Sequence, residues 1–164
     1  NTQSMCTSFM QELMLGQHQF GTSSLTSRGS LTAPTTDTFK AALYFASATV
    51  NASTTAYSTT GEVTNSSGSG YTAGGVTITN GNAPASSNTS STAGVAYWTP
   101  SASLTYTTVT LTTAFDTVLI YNSTQGNRAV SVHTFGSQTI TAGTFTLTMP
   151  SNTTSTALLR FATV

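Results

Sequence analysis

Apolar and polar residues alternate with a period of two along most of this chain, and the exception lies at its start. Between residues 1 and 20, Phe9, Met10, Leu13, Met14 and Phe20 recur at helical spacing. Ser4, Thr7 or Ser8 is placed to cap that helix, and Gly16 to end it. Ser23 to Thr36 is a Ser/Thr/Gly/Pro stretch and reads as a loop or an extended arm. From Thr38 the strand period takes over. Phe39, Ala41, Leu43 and Phe45 alternate with Lys40, Ala42 and Tyr44, a strand with mostly apolar residues on both faces. Residues 51–70 are polar and rich in turn formers. Gly74-Gly75 supplies the positive φ for a tight reversal before Val76 to Thr79. Residues 80–93 read as a second loop, and Val95 to Trp98 as a short strand closed by Pro100.

The second half is denser in strands. Leu104 and Tyr106 alternate, Thr107-Thr108 shifts the phase, and Val109 and Leu111 resume it, the mark of a β-bulge. Val118 to Tyr121 is apolar on both faces and reads as a central strand, followed by a turn over Asn122 to Asn127. Ala129 to Phe135 forms the next strand, ending at Gly136. Phe145, Leu147 and Met149 alternate with Thr144, Thr146 and Thr148, giving one buried face and one hydroxyl face. Leu158 to Val164 closes the chain. Eight or nine short strands with no helices between them predict a mainly β fold, an antiparallel β-sandwich or barrel-like domain with a short N-terminal helix. The boundaries fall at 1–36 for the helix and arm and at 37–164 for the β-domain.

A chain of 164 residues is long enough to bury a core without covalent staples. The single Cys6 excludes an internal disulfide framework and reads as a small buried residue. Charge changes the picture more. Lys and Arg total four and Asp and Glu total four, for a net charge of zero. Nucleic-acid binding needs a basic footprint that is missing here, and so does binding to an anionic membrane surface. No apolar run approaches the roughly 20 residues that span a bilayer. A surface with so little charge gains little repulsion from its neighbours and tends to associate.

The same scarcity leaves little for catalysis. The acids Glu12, Asp37, Glu62 and Asp116 sit on separate expected elements and read as caps, turns or surface charges, not as the facing pair that glycoside hydrolysis needs. His18 and His133, with one cysteine, give no zinc spacing, and His133 reads as a half-buried strand residue. Gly68-Ser-Gly70 and Gly74-Gly75 lack the lysine and following helix of a phosphate cradle. No enzyme activity and no cofactor are expected. Five Asn-x-Ser/Thr sequons, at Asn51, Asn65, Asn88, Asn122 and Asn152, are weak signals in so hydroxyl-rich a chain. Tyr97, Trp98 and Tyr106 could form a sugar-stacking platform, although core packing is the commoner use of such rings. Phe9, Met10, Leu13, Met14 and Phe20 remain as candidate partner contacts: the helix either packs on its own sheet or docks on a partner.

Several segments taken together resemble a known family. They are Cys6-Thr-Ser-Phe9 with Glu12-Leu13, Gly16-x-His18-x-Phe20, Thr38-Phe-Lys-Ala-Ala-Leu-Tyr44, Thr55-Ala-Tyr-Ser-Thr-Thr60, Glu62-Val63 and Tyr71-Thr-Ala-Gly-Gly-Val76. Later come Leu119-Ile-Tyr-Asn122, Asn127-Arg-Ala-Val130, Thr141-Ala-Gly-Thr-Phe145, Met149-Pro150 and Ala157-Leu-Leu-Arg160. In this order they resemble a family of small structural proteins of tailed bacteriophages. The stretch from Ser23 to Thr35 is longer, and residues 80–93 more polar, than that family leads one to expect. The resemblance implies a virion component on the outer surface of the capsid: a decoration or cement protein bound to the major capsid protein, and a homo-oligomer, with a trimer favoured. A tail, baseplate or fibre subunit is the rival within the virion, and a carbohydrate-binding adhesive module the rival outside it.

Overall fold

The computed structural model describes residues 1–21, 36–63, 68–87 and 94–163. Nearly all of the Ser23–Thr36 arm, the sequons at Asn65 and Asn88, and Val164 lie outside the described residues. The chain is mainly β. Its elements are β1 (Ser4–Met5), α1 (Thr7–Met14), β2 (Phe39–Phe45), β3 (Val76–Thr77), β4 (Ala85–Ser87), β5 (Val95–Trp98), β6 (Leu104–Asn122), β7 (Arg128–Leu147) and β8 (Leu159–Ala162). They form two antiparallel sheets, one ordered β1-β7-β6-β2-β3 and the other β4-β5-β8. Among the described residues no helix is long and apolar enough to cross a membrane.

Strand β2 occupies the segment its alternation predicts, and Ala41, Ala42, Leu43 and Tyr44 are all buried, as expected of a strand covered on both faces. Val118 to Tyr121 does lie in a central strand, but not in a short one. It is the end of the 19-residue β6, continuous with Leu104. Ala129 to Phe135 and Phe145 to Leu147 likewise belong to one 20-residue strand, β7, and the two strands form a long hairpin closed at Ser123 to Asn127. Bulges are what disguise this continuity. The register slips between Tyr106 and Val109, where Thr108 has φ 51°, and again between Val109 and Leu111, where Ala142 on the partner strand has φ 45°. Each slip resets the phase of the hydrophobic alternation, so one bent strand reads as several. The loop expected over 80–93 also holds a short strand, since Ala85 to Ser87 pairs with Val95 to Tyr97.

Two glycines in these turns are required by contact. Gly75 has φ 71°, and a Cβ there would lie 1.8 Å from the Ala41 carbonyl oxygen; Gly70 has φ 70°, and its Cβ would lie 2.0 Å from that of Thr108. Both positions need the missing side chain as well as the left-handed backbone.

Helix α1 starts without the expected cap. Cys6 is the N-cap residue and makes no side-chain cap, and the Ser8 hydroxyl has no partner. The Thr7 N–H instead donates to the Ala52 carbonyl at 2.9 Å, so tertiary contact does what a Ser or Asp cap would do locally. Gly16, at φ 70°, ends the helix as read, its N–H donating to the Leu13 carbonyl. Residues 1–21 share one core with the strands. Phe20 stacks on Phe39 of β2 with ring centroids 4.4 Å apart and meets Trp98 of β5 edge-on at 4.7 Å. That aromatic column spans both sheets.

Candidate functional site

Three of the four acids are buried, which corrects their reading as caps, turns and surface charges. Glu12, Asp37 and Glu62 are all under a tenth exposed. They form two centres.

The first centre ties the N-terminal segment to the β6–β7 turn. Glu12 on α1 accepts from His18 Nε2 at 2.7 Å and from Arg128 Nη1 at 2.9 Å. Asn122, fully buried at the end of β6, accepts the Thr124 and Gln125 backbone N–H groups on Oδ1. Its Nδ2 therefore faces the other way, 2.7 Å from Asp37 Oδ2 and 3.0 Å from His18 Nδ1. An amide nitrogen can only donate, so His18 Nδ1 is an acceptor and the ring proton sits on Nε2, aimed at Glu12. Asp37 also accepts from the Gln19 N–H and from Gln125 Nε2. The imidazole packs edge-on against Phe9, centroids 5.0 Å apart.

The second centre is built on Glu62. Its Oε1 accepts from the Tyr71 hydroxyl and the Gly74 N–H, each at 2.7 Å, and its Oε2 from the Tyr57 hydroxyl at 2.8 Å. Tyr121 stacks on Tyr57 and donates to the Gly74 carbonyl. Burial, with the Glu62 charge added to it, pushes the Tyr121 phenol up to about 12. Burial likewise raises Tyr44 to about 12, partly opposed by its hydrogen bond to the Ser58 carbonyl and assisted by Glu62. Every carboxylate oxygen in the two centres accepts a hydrogen bond, and both nitrogens of His18 are engaged. What these groups do is lock distant segments together.

The other singled-out residues are dispersed. Asp116 accepts from Asn1 Nδ2 and the Thr117 hydroxyl. His133 is half-buried on β7 beside the Ser131 hydroxyl, and burial pulls its imidazole down to about 4. Cys6 is fully buried, and burial, with Glu12 nearby, pushes its thiol up to about 12. Among the described residues, no group of three or more His, Cys, Asp or Glu side chains is placed to hold a metal ion. Asn122 is too deeply buried to carry a glycan in the folded chain. Trp98 and Tyr106 are also buried, Trp98 donating to the Asn82 carbonyl, so of the three expected platform rings only Tyr97 keeps partial exposure.

The five N-terminal apolar residues divide by face. Phe9 and Phe20 are buried in the core and Leu13 is half-buried, while Met10 is 43% and Met14 84% exposed. Leu15 at 63% and Phe161 at 38% join them on the outside. A small apolar cavity of about 130 Å³ is lined by Phe9, Leu13, Phe20, Tyr97, Trp98 and Phe161 among others, so Phe161 borders it while Met10, Met14 and Leu15 do not. The helical stripe points to Met10 and Met14. Phe161 carries no comparable signal, because its place beside Phe9 depends on β8 pairing with β5.

The fold and these sites define a two-sheet β-domain with buried polar anchors and exposed apolar side chains on and beside α1 and on β8. No protein-family model, curated protein or solved structure matches the chain.

Proposed function

We propose that this chain is a structural component of a tailed-bacteriophage virion, a decoration protein seated on the outer face of the major capsid lattice. The observation that carries the reading is the set of exposed apolar side chains Met10, Met14 and Leu15 on and beside α1, with Phe161 at an apolar cavity, on a chain with only four acids and four Lys and Arg residues. Met10 and Met14 stand one turn apart on α1, and neighbouring exposed apolar side chains on a small domain mark a contact site. Methionine suits such a site, since its flexible thioether adapts to an irregular partner. Repeated over a lattice, modest contacts add by multivalency. A sugar-binding module is less well supported, because Trp98 and Tyr106 are committed to the core.

The test is binding of the purified protein to capsids assembled without it. Hundreds of bound copies per particle are expected, and six to a few dozen would place the chain in the tail instead. Met14→Asp, at a side chain 84% exposed on the last residue of α1, is expected to abolish binding while lowering the melting temperature by no more than about 4 °C, the cost of a carboxylate at a helix C-terminus. Molar NaCl is expected to leave the protein attached, since few ion pairs exist to screen. Loss at high salt, or full binding by Met14→Asp, would overturn the proposal.

A further inference from the structure

Among the described residues, strand β7 is paired on its outer edge at one end only. β1 pairs with it at Ser131 and Val132, and Gln3 Oε1 takes the Thr134 N–H. Beyond that, among the described residues, no strand lies beside β7 on the side away from β6. The other long strand is treated differently: the Thr110 N–H of β6 donates to the Ser69 carbonyl at 2.7 Å, and Gly70 packs on the Thr108 carbonyl. Among the described residues, one edge of the hairpin is blocked by a loop and the far part of the other carries no pairing strand.

The open stretch has none of the usual devices against pairing over its last residues. The bulge at Ala142 lies before it, and from Phe145 to Leu147 the register against β6 is regular. No charged residue occurs between Arg128 and Arg160. Every second residue there aims its N–H and C=O away from β6, as an edge strand must. Thr144, Thr146 and Thr148 are exposed, while Phe145, Leu147 and Met149 are half-buried against the core margin.

We infer that this edge pairs antiparallel with the same edge of a second copy, about a two-fold axis at Thr146. The sequence Thr144-Phe-Thr-Leu-Thr148 is self-complementary under that operation. Thr144 falls opposite the partner's Thr148, Thr146 opposite the partner's Thr146, and Phe145 opposite the partner's Leu147. Threonine pairs on one face and apolar pairs on the other both stabilise a sheet. A symmetric contact of this kind uses one patch twice. The absence of charge removes the repulsion that self-pairing normally meets, whereas a charged partner strand would find no counter-ion here. A five-residue ladder is smaller than a standard stable interface. The dimer is therefore weak in isolation and forms at high concentration or on a surface that gathers copies. This contact is independent of what the α1 face binds.

Sedimentation velocity over a range of concentrations tests it, with three variants at exposed threonines. Wild type is expected to shift from monomer to dimer as concentration rises. Thr146→Lys puts two ammonium groups on the axis, and the double variant T144K/T148K opposes like charges twice. The second is expected to weaken association about tenfold. T144K/T148E sets Lys against Glu across the axis and is expected to dimerise at least as well as wild type. All three should melt like wild type. A chain that stays monomeric at millimolar concentration, or variants that associate identically, would overturn the inference.

Discussion

Replacing Asn122 by alanine should cost about 2.5–4 kcal/mol, and the figure can be assembled bond by bond. The side chain is fully buried. Its bond to the Asp37 carboxylate, 2.7 Å, is of the charged kind, worth about 1.5–3 kcal/mol. Its bond to His18 Nδ1, 3.0 Å, is neutral and adds about 1 kcal/mol. The Thr124 and Gln125 N–H groups lie in a turn where water can replace Oδ1, so they add little. In a domain of this size the loss corresponds to a fall in Tm of roughly 5–16 °C. Urea unfolding followed by circular dichroism measures it. Because Asn122 and Asp37 act on each other, the double variant with Asp37→Ala should lose less than the two single losses combined, by at least about 1 kcal/mol. The same geometry fixes the imidazole proton of His18 on Nε2, which nitrogen chemical shifts report. A loss below about 1 kcal/mol, additive double-variant energies or a proton on Nδ1 would each refute the network as described.

Three further outcomes follow from other contacts. His133, pulled down to about 4 from 6.5 by burial, stays neutral in the folded chain while the unfolded chain takes up a proton, so this group's contribution is full above about pH 6.5 and falls away towards pH 4. The nominal loss is at most about 3 kcal/mol, less for a half-buried ring, and the difference between wild type and His133→Asn across that window isolates it; parallel curves would contradict it. Gly75→Ala meets the Ala41 carbonyl and should abolish folding or cost above about 3 kcal/mol, whereas Gly126→Ala, also left-handed at φ 68° but with open space, should cost only about 1–2 kcal/mol; equal melting temperatures would count against the close packing of β3 on β2. Glu62→Gln removes a charge that helps hold Tyr44 and Tyr121 near 12, so ultraviolet titration should show both moving down yet staying above the free phenol value of about 10, because burial persists; no movement would mean burial acts alone.

Much of the scaffold is written locally. The alternation from Phe39 to Phe45 predicts β2 to the residue, Gly74-Gly75 marks the reversal into β3, and Thr107-Thr108 marks a real bulge. These are legible because side-chain alternation and left-handed glycines are properties of a few consecutive residues. The missing helix cap, the short β4 and the merging of several segments into β6 and β7 are not, because each depends on what lies across the sheet. The candidate contact face is half legible: helical spacing groups Phe9, Met10, Leu13, Met14 and Phe20, but only packing against Phe39 and Trp98 decides that Phe9 and Phe20 turn in while Met10 and Met14 stay out.

The sequence by itself determined a nearly uncharged β-chain with one amphipathic helix, since composition and periodicity carry that information directly. Only the tertiary structure decided where the few charges go. Glu12 meets Arg128 across 116 positions, His18 meets Asn122 across 104, and Asp37 meets Asn122 across 85. No local pattern encodes such pairings. They form because a carboxylate taken out of water must find donors, and the folded topology is what brings those donors within reach.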